Sequence, residues 1–348
     1  MNHAEQQLPA NSRHANETVL IAGCGRLGQA VGLQLQAEGA RVFGLRRRPE
    51  QLPAGIEPIQ ADLMDTAQLS KCLPQGTSKN FAGTTIRPGV EDAVNPSLEA
   101  SWRHPWRQDL HTEADGGAGE VFRGHPQDIS LIYYIVTPAQ FDDQSYRSAF
   151  VDGLSNLRAA LINRGQSPRR LVFVSSTGVY GQQQGEWIDE TSPTEPGRFS
   201  GQRLLEAEQL AADCPWPSAI ARLGGIYGPG RDMFINKVKK GEPCRPDGFT
   251  NRIHSDDAVG MLVHLGRATT PAGIYLGVDD EPTTQCQVME FIAEQLGLPS
   301  PPRDEASSSN TRGVGSKRGD NSKLKASGFR FQYPTFREGY QELIRADL

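Results

Sequence analysis

Fifteen residues near the start, TVLIAGCGRLGQAVG, restrict the fold more than any other stretch. An apolar run (TVLIA) leads directly into Gly23, Gly25 and Gly28, spaced GxGxxG, and those glycines open an amphipathic helix. In a strand–turn–helix of this kind the first glycine permits a tight turn and the second lets backbone approach a pyrophosphate. The third lets the helix pack on the strand, and the helix N-terminus contributes N–H donors and positive potential. The loop residues Gly23, Gly25, Arg26, Leu27 and Gly28 are therefore candidate dinucleotide contacts.

The pattern after this motif agrees. TVLIAG (18–23), VFGL (42–45), LIYYIV (131–136), RLVFVSS (170–176) and AIARLG (219–224) read as short strands buried on both faces. Helix-like segments alternate with them at 26–39, 63–73, 144–165 and 202–213. Such alternation predicts a parallel sheet with helices on both sides. Residues 75–127 and 300–322 interrupt the rhythm with Gly, Pro, Ser and charge. The first reads as a surface insertion whose Trp102 and Trp106 either anchor it or belong to a loose excursion; the second reads as a flexible stretch.

Composition removes several classes of function. The formal net charge is −5 and no basic cluster exceeds Arg46-Arg47-Arg48, so a nucleic-acid partner is not expected. No stretch is apolar enough to span a bilayer, which argues against a membrane protein. Residues 1–17 lack the apolar core of a signal and read as a disordered tail. Five cysteines stand at 24, 72, 214, 244 and 286 without a CxxC pair. Neither a metal site nor a disulfide framework is expected from them, and a reducing cytoplasm is the predicted setting.

The residue at the end of the second strand selects the cofactor. A carboxylate there would hold the ribose hydroxyls of NAD, but the position carries Arg46, followed by Arg47. A guanidinium offers a forked donor to a 2′-phosphate, which predicts NADP, with NAD as the alternative; a solvated basic turn is the bland reading. Asp62, followed by Leu63, either accepts from the adenine amino group or caps a helix starting near Met64. Thr137 and Pro138 end the fourth strand on the nicotinamide side.

RLVFVSSTGVYG, ARLGGIYGPGR, NRIHSDDAV and IYLGVDDEPTT follow the glycine loop in that order. Together they resemble the extended short-chain dehydrogenase/reductases, the NAD-dependent epimerase/dehydratase group. The likeness runs over about residues 18–348 outside the 75–127 insertion. The GxGxxG spacing and the ending SKLKASGFRFQYPTFREGYQELI are similar to an atypical branch. The resemblance implies an α/β fold: a Rossmann-like doubly wound parallel sheet with a smaller C-terminal substrate lobe. It places the nucleotide domain at 18–228, rejoined by a helix near 255–268, and the lobe at 229–252 and 272–348. A homodimer through the helices near 144–164 and 202–213 is also implied.

In that family a Ser or Thr, a Tyr and a Lys carry the proton chemistry. Ser176 matches the hydroxyl position and its neighbour Ser175 a cofactor contact. From Gln182 through Ile226, however, there is neither a tyrosine nor a lysine. Phe199 and Arg203 hold the nearest equivalent spacing; phenylalanine exchanges no proton, and arginine is too basic to act as a base. Tyr180 and Tyr227 are the available phenols, each either catalytic or structural, with Tyr227 also a candidate substrate contact. Arg203 is retained as a candidate catalytic cation. Arg231 and Arg252 either contact an anionic substrate or form surface salt bridges. His254, Asp256 and Asp257 read as structural residues of a strand–helix turn, and Asp279, Asp280 and Glu281 as loop-shaping residues. Two functions fit: a reductase or epimerase acting on a small or sugar-like carbonyl compound by a non-standard proton relay, or a non-catalytic NADP(H)-binding redox sensor or docking protein.

Overall fold

The computed structural model describes residues 17–77, 128–304 and 316–346. Residues 1–16, 78–127 (with Trp102 and Trp106), 305–315 and 347–348 lie outside them.

Seven parallel strands form the central sheet, in the order Ile56–Gln60 (β3), Arg41–Arg46 (β2), Thr18–Ala22 (β1), Leu131–Tyr134 (β4), Arg170–Ser176 (β5), Ser218–Leu223 (β7) and Gly273–Gly277 (β11). β1 (Thr18–Ala22) is followed by α1 (Arg26–Ala37), β2 (Arg41–Arg46), β3 (Ile56–Gln60), α2 (Thr66–Cys72) and β4 (Leu131–Tyr134). α3 (Asp143–Tyr146), a π-helical turn (Arg147–Asp152) and α4 (Gly153–Asn163) run on as one rod into β5 (Arg170–Ser176). β6 (Glu186–Ile188), α5 (Phe199–Ala212) and β7 (Ser218–Leu223) come next. The order reverses between β1 and β4, which pair in register from Val19 opposite Leu131 to Ala22 opposite Tyr134. At that reversal the turns leaving the two strands diverge, and a crevice opens at their C-terminal ends.

Successive side chains of a strand face opposite ways, and both faces are covered. Leu20 and Ala22 join a core with Leu154, Leu157, Leu204 and Ala207 of α4 and α5. Val19 and Ile21 join the opposite core, with Val31 and Leu35 of α1.

β8 (Gly225–Tyr227), α6 (Met233–Lys239), β9 (Phe249–Thr250), β10 (Arg252–His254) and α7 (Ser255–Gly266) follow. α7 packs on the second core through Met261, Leu262 and Leu265. The next strand, β11 (Gly273–Gly277), pairs with β7 as the edge of the central sheet. Residues 273–277 therefore belong to the large sheet, which corrects the assignment of everything after 272 to the lobe. Alternating Tyr275 and Leu276 bury against the two cores, so the strand is held as the others are. β12 (Thr283–Thr284), α8 (Gln285–Leu296), β13 (Lys317–Gly319), α9 (Ser322–Ala326) and α10 (Phe336–Ala346) complete the chain. α6, α8 and α10 share a third core built on Phe234, Met289, Ile292, Phe336 and Tyr340.

Cys244 and Cys286 are joined by a disulfide, with Cα atoms 4.9 Å apart and a sequence separation of 42. This overturns the expectation of no disulfide and removes the cysteine argument for a reducing compartment. The pairing comes from α6 packing on α8, a contact no sequence spacing announces. Among the described residues no helix is long and apolar enough to cross a membrane.

The sheet and α5 are locked by a buried ion pair. Arg222 of β7 donates to Glu208 of α5 at 2.6 Å, and the two side chains are 4% and 6% exposed. Ser175 of β5 donates to Glu208 at 2.5 Å, and Arg222 also donates to the Tyr180 hydroxyl at 2.8 Å. Glu208→Ala strands a buried guanidinium and is expected to lower stability by about 3–5 kcal/mol in urea unfolding. The joint replacement Glu208→Leu with Arg222→Leu recovers most of that loss, because no charge is left unpaired.

Candidate functional site

The glycine turn sits at the point where the strand order reverses. Gly23 has φ 78°, and a Cβ there would lie 2.4 Å from the Ile135 carbonyl oxygen, just beyond β4. Only glycine fits a turn pressed this closely against the next strand. A Cβ on Gly28 would lie 3.1 Å from Ile21 Cγ2, so the third glycine is the helix–strand contact. Gly25 differs: a Cβ there would meet nothing nearer than 3.9 Å. Its face is open, as approach of a phosphate to the main chain requires. α1 has no side-chain cap and no acidic residue in its first turn. Its leading N–H groups and positive dipole end thus remain available to an anion.

Arg46 reaches back from the end of β2 and donates to the Cys24 carbonyl at 3.4 Å. Arg47 beside it is exposed. Arg26 is committed elsewhere: its guanidinium donates to the carbonyls of Gly230 (3.0 Å) and Pro229 (2.8 Å), tying the glycine turn to the loop after β8. Any cofactor contact by Arg26 or Leu27 is therefore assigned to the main chain. The Asp62 carboxylate accepts from Met64 N at 3.0 Å in a local turn, while Asp65 caps α2 by accepting from Gln68 N at 2.9 Å. The cap alternative for Asp62 is corrected accordingly: the helix begins at Thr66, two residues past Met64. Leu63 is half-buried against the first core, and Thr137 and Pro138 follow β4 at the mouth of the crevice.

A cavity of about 1100 Å³ lies between the Ser176–Gly178 turn, the Gly197–Arg198 segment and the lobe. Ser176 lines it and accepts from Gly178 N at 3.1 Å. The other polar candidates from sequence are not available there. The Ser175 hydroxyl is buried and turned to Glu208. The Tyr180 hydroxyl donates to the Asp189 carbonyl at 2.8 Å and accepts from Arg222, and burial pushes its pKa up to about 12. This removes it as a proton carrier. Tyr227 is buried in the lobe core, stacked on Tyr340 at 4.6 Å and edge-on to His254, so it touches no substrate space. Arg203 is held by Asp143 (2.8 Å) and Glu206 (2.7 Å) and is not free to grip a ribose. These four corrections share one cause: the residues are consumed by long-range partners that the sequence does not reveal.

Phe199 begins α5 and packs with Phe141 and Tyr146, its ring centre 5.2 and 5.4 Å from theirs. An apolar cluster therefore stands where the family relay would be. His254 caps α7, accepting from Asp256 N at 3.3 Å, and the Asp257 carboxylate accepts from Gln332 N and Tyr333 N. Both hold the turn between lobe and sheet. Arg231 is exposed in the loop after β8.

Arg252 is 3% exposed, which rules out the surface salt bridge. It lines the cavity, lies over the Phe336 ring, and donates from Nη2 to the Thr250 carbonyl at 3.2 Å. Its Nε and Nη1 have no hydrogen-bond partner. A buried donor left unmatched costs about 1–3 kcal/mol, so the position is suited to an acidic ligand. Arg198, Lys237, Arg245 and Lys317 also line the cavity, against two carboxylates, Glu242 and Asp304. Lys317, Lys237 and Arg245 carry no local motif and escaped the sequence reading.

Behind this wall Asp279 is 1% exposed and its carboxyl is pushed up to about 8 by burial, with Arg252 opposing. The folded protein thus keeps a proton that the unfolded chain releases near its ordinary value of 3.8. Stability must fall as pH rises from about 4 to about 8 and level off above that. Asp279→Asn keeps the shape without the charge. It is expected to exceed the wild type by at least ~1 kcal/mol at pH 8, with the gap closing at pH 4, in unfolding titrations at the two pH values.

No family model matches the chain. It is 34% identical to protein YeeZ of Escherichia coli over 172 residues, 47% of the chain and 59% of YeeZ, so the match spans under two thirds of that relative's length. Among solved structures, a provisionally assigned NAD-dependent epimerase/dehydratase from Methylobacillus flagellatus is 28% identical, covering 96% of this chain and 99% of its own, with a TM-score of 0.67. WbmG of Bordetella bronchiseptica, solved with NAD and UDP, is 17% identical over 94% of this chain and 93% of its own, with a TM-score of 0.67. The human epimerase family protein SDR39U1, solved with NADPH, is 17% identical over 94% of this chain and 99% of its own, with a TM-score of 0.64. The last two share the fold.

Proposed function

We propose that this chain, an atypical short-chain dehydrogenase/reductase with the fold of the NAD-dependent epimerase/dehydratases, binds NADP(H) at the glycine turn and acts on an anionic carbonyl compound in the adjoining cavity. The observation that carries the reading is the head of α1: an uncapped helix N-terminus, free of acidic residues, beside a glycine with open space. Main-chain N–H groups from Arg26 to Gly28 would hold the pyrophosphate, with the open face of Gly25 letting it approach. Arg46, with Arg47 next to it, would take the 2′-phosphate, and Thr137 and Pro138 would border the nicotinamide side. WbmG and the human protein bind NAD and NADPH respectively on the same fold. The arginine at the end of β2 favours NADP here.

The bound nicotinamide supplies hydride chemistry; the chain supplies position and charge. Ser176 orients the substrate oxygen, and Arg252, on the cavity wall, contributes the positive charge that attracts an acidic group. Arg198, Lys237 and Arg245 raise the positive potential around it. A phosphorylated or nucleotide-linked sugar fits this lining, and WbmG, on the same fold, was solved in complex with UDP. The non-catalytic sensor reading draws on the closed Arg203 pairs and the Phe199 cluster.

Calorimetry of the full chain with each coenzyme tests the assignment. Gly25→Val is expected to fold, since its Cβ meets open space, yet to abolish coenzyme binding. Arg46→Asp is expected to weaken NADPH by about 10–100-fold, the worth of one charge-assisted hydrogen bond, and to favour NADH. No heat with either coenzyme, or an unchanged preference in Arg46→Asp, would sink the reading.

A further inference from the structure

Resting on that reading, we propose that Lys317 handles the proton that the missing tyrosine–lysine pair would have moved. Lys317 lies on the cavity wall with Ser176, and its ammonium protonates the substrate carbonyl oxygen as hydride reaches the carbonyl carbon. A nicotinamide bound in the crevice would supply the hydride to carbon. The oxygen on which negative charge develops takes the ammonium proton, which leaves an alcohol and a neutral amine, and water reprotonates the amine. In the reverse direction the neutral amine is the base.

The geometry carries this. Lys317 enters from β13, which pairs in parallel with β6 so that Lys317 stands opposite Glu186. Asn251 grips the same strand, donating to the Lys317 carbonyl at 3.0 Å and accepting from Gly319 N at 2.7 Å. The strand is thus fixed on both sides. From it the side chain reaches the turn after β5, where Nζ donates to the Tyr180 carbonyl at 2.7 Å. That turn also carries Ser176, and both residues line the cavity.

Lys317 is 4% exposed, and among the described residues its ammonium forms no ion pair with a carboxylate. One N–H is used by the Tyr180 carbonyl, and no other hydrogen bond of Nζ is formed among them. A purely structural cation would be expected to find a counter-ion, because burying one alone is costly. The groups around it explain its poise. Glu186 on β6 is the charge that raises its pKa, Arg252 and Arg245 share the cavity, and Glu242 and Asp304 lie on the lobe side. Burial dominates and brings the amine down to about 8, where both protonation states are populated near neutrality. The Tyr180 hydroxyl, turned to Asp189 and Arg222, takes no part.

The test uses the full chain, with Lys317→Arg and Lys317→Met beside the wild type. Competitive acetylation across pH 6–11, read by peptide mass spectrometry, should give Lys317 a midpoint near 8 in apo protein. Glyoxylate with cyanoborohydride at pH 8 should trap the amine as N-carboxymethyl-lysine. Lys317 should exceed the other lysines by about tenfold or more, since an ordinary lysine is under about 1% neutral at that pH. Lys317→Arg, which keeps charge and donor, should bind NADPH as the wild type does. A midpoint near the ordinary 10.5, or glyoxylate spread evenly over surface lysines, overturns the assignment even if NADPH binds. Absence of NADPH heat in the wild type overturns the functional reading instead, whatever Lys317 shows. Should Lys317→Met fail to fold, Lys317→Arg and the wild-type titration still decide.

Discussion

The reversal of strand order between β1 and β4 governs the rest of the molecule. A parallel sheet has to be covered on both faces, and its connections must leave in opposite directions somewhere. Here they part beside the glycine turn. That parting leaves the α1 N-terminus pointing into a crevice instead of into a neighbouring helix. The same constraint fixes where Ser176 emerges, at the end of β5, and where the lobe must dock to close the cavity.

The two ends of α5 differ in what holds them. α5 keeps its place because Glu208 is bound to Arg222 and Ser175 beneath it. Its outer turn carries Phe199, which forms an aromatic cluster with Phe141 and Tyr146. Arg203 closes on Asp143 across the start of α3, so that end of α5 carries saturated contacts. Polar capacity left unmatched lies at Arg252, and partly at Lys317, whose ammonium reaches the turn that carries Ser176. The cavity therefore sets cations around its hydroxyl, an arrangement suited to an anion.

Legibility in the sequence tracked the range of the interactions. β1, β2, β4, β5 and β7 were readable because their covered faces make nearly continuous apolar runs. β11 was readable only as a motif, since GIYLG is short and its place at the sheet edge comes from pairing with β7, from which residues 224–272 separate it. The GxGxxG turn and the absent tyrosine and lysine were plain from spacing alone. Tyr180 and Tyr227 were not, because a phenol beside a motif looks the same whether it faces a cavity or a guanidinium. The Cys244–Cys286 pair was hidden for the same reason: its partners are brought together by α6 against α8.

By itself the amino-acid order determined the parallel α/β architecture, the GxGxxG turn, the arginine at the end of β2 and the absence of tyrosine and lysine between Gln182 and Ile226. These depend on neighbours within a few residues: glycine's freedom, apolar periodicity and plain absence. Only the folded chain decided which ionisable groups are spent and which remain exposed to a ligand. That depends on burial and on partners far away in sequence, as when Arg26 closes on Gly230 or Lys317 on Tyr180. A side chain's charge is written in its identity, but its availability is set by what packs around it.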